Sequence, residues 1–77
     1  MARHYFHLAN GATTLDPTGL DLADLGAVQE EAVRAVRELL NLGKTDGLWS
    51  GDPWKVWVTD GPDGTGRTIL TVELTTG

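Results

Sequence analysis

The chain has 77 residues, no cysteine and a formal net charge of −5, with 40% hydrophobic and 22% charged residues. So short a chain supports one core and excludes a second one, its ordinary composition excludes wholesale disorder, and the lack of cysteine excludes disulfide scaffolds, thiolate catalysis and thiolate metal sites. Six Lys and Arg scattered among eleven Asp and Glu oppose binding to a phosphate backbone, so no nucleic acid is expected as a direct partner.

Residues 3–9, Arg-His-Tyr-Phe-His-Leu-Ala, alternate in the period of a strand, with His4, Phe6 and Leu8 on one face and Arg3, Tyr5 and His7 on the other. Asn10-Gly11 suits a tight hairpin turn, after which residues 12–15 return as a second strand. Pro17 lacks an amide hydrogen and stops the ladder, so the return strand is short or resumes at Leu20-Asp21-Leu22 as an edge.

Leu25, Val28, Ala32, Ala35, Val36 and Leu39 then recur at three- and four-residue steps, with Gln29, Glu30, Arg34, Arg37 and Glu38 on the other face. This predicts an amphipathic helix from Leu25 to about Leu42. Asp24 is placed to cap its first amides, and Gly43 with Lys44 to end it. Glu30 and Arg34 stand in the favourable four-residue orientation for an ion pair. Beyond a loop at residues 45–52, strands are predicted at residues 54–59 and 67–74, joined by the Gly-rich loop 60–66.

The resulting ββαββ order predicts an α+β fold: one domain over residues 1–77, a four-stranded, mainly antiparallel sheet, and one helix packed on one face. The two strands richest in apolar residues, 3–9 and 54–59, are placed centrally. Phe6, Leu8, Val56, Val58, Leu70, Val72 and Leu74 point together toward the helix. The opposite face collects Tyr5, His7, Lys55, Trp57, Ile69, Thr71 and Glu73, which one helix cannot also cover. Tyr5, His7, Trp57, Ile69 and Thr71 are therefore the candidate protein interface, since aromatic residues are frequent energetic anchors.

Chemistry is sparse. His4 and His7 are the only histidines and point to opposite faces, so they do not share a metal; His4 is expected to be a hydrogen-bonded boundary residue. Asp60 and Asp63 lack the alternate spacing and closing Glu of a calcium loop, and the turn chemistry of Asp-Gly explains them better. Gly61, Gly64 and Gly66 open no helix and match no phosphate-binding fingerprint, and Ser50, the only serine, has no nucleophile-elbow pattern. No catalytic residue, metal ligand or cofactor is assigned, and a small enzyme or metal-binding protein is the minority reading.

The opening Arg3-His4-Tyr5-Phe6-His7-Leu8, the turn from Asp16 to Gly19, Asp24-Leu25, and Glu31-Ala32 within the helix, followed by a β-hairpin, resemble a family of short bacterial proteins of unknown function. That resemblance covers nearly the whole chain and implies the same fold, with no catalytic residues to transfer. Ala23 stands where the family pattern leads one to expect proline, and the loop 60–66 is longer than its usual compact turn. Residues 22–40 also resemble, more loosely, antitoxins of the HicB kind, which implies neutralisation of a small basic RNA-cleaving toxin. The first expectation is a non-enzymatic protein-interaction module, homodimeric through the open sheet face. It is expected to be cytoplasmic and soluble, because the N-terminus shows no leader pattern and no run is apolar enough for a bilayer.

Overall fold

In a computed structural model, which describes residues 2–41 and 46–76, the chain is an α+β fold with one main helix and an open, antiparallel sheet. The elements are β1 (Ala2–Ala9), β2 (Thr13–Thr14), β3 (Leu20–Leu22), α1 (Leu25–Asn41), the single turn α2 (Asp46–Trp49), β4 (Trp54–Thr59) and β5 (Thr68–Leu74). β2 and β3 share one edge of β1, β4 lies along its other edge, and β5 is the far edge beyond β4. The two most apolar strands are central, as their composition predicts.

Both alternatives for the return strand occur. β2 pairs Thr14 with Leu8, β3 pairs Leu20 with His4, and residues 15–19 bulge between them opposite residues 5–7 of β1. Pro17 falls in this bulge, where no ladder amide is needed.

β4 is β-branched and aromatic apart from Lys55, and its two faces are sorted by alternation. Trp54, Val56 and Val58 are buried on the helix side. Val28 and Ala32, one helical turn apart, are the fully buried pair of α1, and the small Ala32 side chain lets the helix backbone approach the sheet. Burying side chains such as Val28, Val56 and Val58 stabilises the fold by about 1.5–3 kcal/mol each. Leu25, expected in the apolar stripe, is instead mostly exposed, because it is the first residue of α1 and overhangs the sheet.

Asp24 caps α1 as expected: its Oδ1 accepts from the Ala27 amide at 2.8 Å, and its carbonyl accepts from Val28 at 3.2 Å. The predicted end at Gly43 and Lys44 lies outside the described residues. The Glu30–Arg34 pair is not formed; Arg34 pairs with Glu31 at 3.3 Å, because Glu31 lies on the half-buried flank of the helix and Glu30 on its solvent side. The loop around residues 46–52 is more structured than its composition suggests. Leu48 of α2 is buried, and its carbonyl accepts from the Thr76 hydroxyl at 2.6 Å, which ties the residues after β5 to α2.

Candidate functional site

The side of the sheet away from α1 is not uniformly open. Arg3, Tyr5 and His7 alternate onto it, and the bulge of residues 15–19 rolls over all three. Arg3 donates to the carbonyls of Thr18 at 2.7 Å and Gly19 at 3.3 Å, and pairs with Asp21 at 3.4 Å. Gly19 sits at φ 75°, and a Cβ there would come within 2.8 Å of both the Arg3 side chain and the Tyr5 ring. Glycine is thus required twice, by backbone conformation and by contact.

Asp16 organises this cover. Its Oδ2 accepts from the Phe6 amide at 3.1 Å, filling the gap that the bulge leaves in the β1 edge. Its Oδ1 accepts from the amides of Thr18 at 2.9 Å and Gly19 at 3.1 Å, closing the turn. Its carbonyl accepts from the Asp63 amide at 3.0 Å, joining the bulge to the β4–β5 loop. That loop contains a 3-10 turn at Pro62–Gly64, with Asp63 at φ 55°, rather than the simple connection its composition suggests. Partial burial works against ionisation of Asp16, but the amides of Thr18, Gly19 and Phe6, with a further contribution from His7, outweigh it and hold the carboxyl below the usual aspartate range.

His7 lies beneath both loops and is fully buried. Its Nδ1 accepts from the Asp16 amide at 3.0 Å, so the proton of the neutral ring is on Nε2, which donates to the Thr59 hydroxyl at 2.7 Å. Thr59, itself buried, donates in turn to the Gly61 carbonyl at 2.7 Å. The chain of bonds resembles a proton relay in outline only. Each ring nitrogen is already engaged and neither reaches solvent, so His7 offers no lone pair to a substrate.

His7 therefore does not belong on an exposed interface. Strand alternation assigns its face correctly, but two loops distant in sequence cover it. Ile69 departs from the alternation as well: Leu70 stands opposite Val58 and Thr68 opposite Thr59, which makes Ile69 the extra residue of a β-bulge. Of the remaining candidates, Tyr5 is half-buried against the Gly19 turn, Trp57 is half-buried, and Thr71, its partner on β5, is exposed. The Trp57 ring is held between His7, with centroids 5.2 Å apart at an interplanar angle of 44°, and the Lys55 ammonium, 4.9 Å from its centroid. His4 is half-buried on the helix side, and its Nδ1 is buried with no hydrogen-bond partner, contrary to the bonded role expected of it. Its strand neighbour there is Leu20, which supplies no acceptor or donor side chain.

Among the described residues no three His, Asp or Glu side chains are gathered as a metal site. No helix among them is long and apolar enough to cross a membrane.

The fold and its clasp define a class: a small α+β domain with one main helix on an open, antiparallel sheet, in which Asp16 and His7 hold the domain's own loops. The chain belongs to the family described as a domain of unknown function, DUF6894, whose model matches residues 3–75. No curated protein and no solved structure matches it. The likeness to HicB antitoxins finds no support in these comparisons. Of the residues that carry the family resemblance, Arg3, His7, Asp16 and Gly19 meet in the clasp, whereas Asp24, Leu25, Glu31 and Ala32 belong to the helix and its cap. The Asp-x-x-Gly spacing was the one sequence signal for it, since an Asp that caps its own turn two and three residues on is a recurrent local motif.

Proposed function

We propose that the chain is a non-catalytic protein-interaction module that binds a partner protein through the uncovered half of its sheet face, centred on Trp57. The observation that carries this reading is the preordered Trp57 ring, set between His7 and Lys55 at the boundary where the loop cover ends. Lys55, Trp57, Thr71 and Glu73 continue from that boundary as paired residues on adjacent strands. An aromatic side chain already fixed in place loses little conformational entropy on binding, which is the property of an energetic anchor. The engagement of both His7 nitrogens supports the non-catalytic part of the proposal, and the absence of cysteine supports residence in the reducing cytoplasm.

The test is affinity capture from the native source with immobilised chain, run in parallel with a Trp57→Lys variant whose fold is verified by circular dichroism. A defined protein retained by the native chain, lost with Trp57→Lys and kept with a Glu30→Lys control on the solvent side of α1, is the expected result. An identical set of captured proteins for all three refutes the assignment of this face.

A further inference from the structure

The far edge of the sheet and one flank of α1 lie on the same side of the molecule, and both are uncovered. β5, Thr-Ile-Leu-Thr-Val-Glu-Leu, pairs only with β4 among the described residues, leaving one full row of backbone groups without a strand partner. Above it, at 100° per residue, Val33 and Leu40 project opposite to Ala35 and Glu38, which face Phe6, Leu8 and Thr14 across a groove on the β1–β2 side. Val33 and Leu40 therefore overhang β5, and they are 50% and 41% exposed. Below them Leu70, Val72 and Leu74 are only half-buried, because α1 lies over β4 more than over β5.

We propose that this seam binds a second copy of the chain, with the two β5 strands pairing antiparallel about a two-fold axis normal to the sheet. That axis keeps both helices on the same face, so edge and flank are buried in one step. A foreign strand would cover the edge but leave Val33 and Leu40 in water; a second copy brings its own matching flank. With the axis at Thr71, the midpoint of β5, Leu70 stands opposite the second copy's Val72 on the helix side, and the bulge at Ile69 falls at the end of the paired stretch. No like charges are opposed in this register. Glu73 and the bulge at Ile69 discourage indiscriminate pairing of the edge. The seven-residue edge with its apolar strip buries on the order of 1,000 Å² over both copies, which meets the lower bound for a specific interface.

Size-exclusion chromatography with light scattering is expected to give the mass of two chains, and Val33→Glu with Leu40→Glu the mass of one with an unchanged far-ultraviolet spectrum. Because the chain has no cysteine, Thr71→Cys provides an independent readout: mild oxidation is expected to link two copies through that residue. This second readout stands even if the double variant fails to fold. A native chain with the mass of one at high concentration, or a Thr71→Cys chain that does not cross-link, overturns the proposal. Trp57→Lys separates it from the partner-binding face: the dimer is expected to survive that change, and a dimer lost with Trp57→Lys but kept in the double variant refutes the β5 seam.

Discussion

Replacing Asp16 with alanine probes the clasp most directly, because one carboxylate serves three amides belonging to two separate segments. The Phe6 amide on the β1 edge would lose its acceptor beneath the bulge, at a cost of about 1–3 kcal/mol, and each turn bond adds about 1 kcal/mol. Bonds to one side chain are coupled and do not simply add, so the expected loss is about 2–4 kcal/mol. For a domain whose core supplies about 3–5 kcal/mol, that is most of its stability. Urea unfolding followed by tryptophan fluorescence measures the difference, with the slope with denaturant unchanged.

The same carboxylate gives the loss a pH signature. Its folded pKa is lowered, so its contribution is complete above the ordinary aspartate value of about 3.9 and disappears as pH falls below that value through the folded pKa. Asp16→Asn, which cannot titrate and presents a donor toward either Phe6 or the turn, should be destabilised near neutral pH and show a shallower acid decline than the native chain. An Asp16→Ala protein within about 0.5 kcal/mol of native, the scatter of ordinary surface changes, would refute the clasp as a stabilising feature.

Gly19→Ala places a methyl against Arg3 and Tyr5 at a left-handed backbone position and should cost about 2–3 kcal/mol, whereas Gly11→Ala, also left-handed but facing open space, should cost about 1 kcal/mol; equal effects in thermal unfolding would deny the contact. Nitrogen-15 spectra of the imidazoles should show His7 as the Nε2–H tautomer near neutral pH, and an Nδ1–H signal would mean that the Asp16 amide is not its partner. Asp24→Ala removes the cap of α1 and should cost about 1 kcal/mol without altering the sheet, measured as a lowered urea midpoint with the Trp57 environment retained.

The sequence by itself determined the elements whose signals are local and periodic. The helix with its Asp24 cap, the two hairpins, the central placement of residues 3–9 and 54–59, and the sorting of Val56 and Val58 to the helix side all follow from repeats of 3.6 and 2 and from turn chemistry. The tertiary structure alone decided what covers the second face of the sheet. His7 is buried because the Asp16 bulge and the Pro62–Gly64 turn, 43 or more residues apart, meet above it through the Asp63–Asp16 bond. A contact between segments so far apart leaves no periodic trace in either one. The bulge at Ile69 is likewise invisible to alternation, since one extra residue in β5 reads as an ordinary step along the chain and becomes a change of face only when β4 fixes the register. The strand pattern thus said where Trp57 lies, and the loops folded over its neighbours decided how much of that face was left to bind anything else.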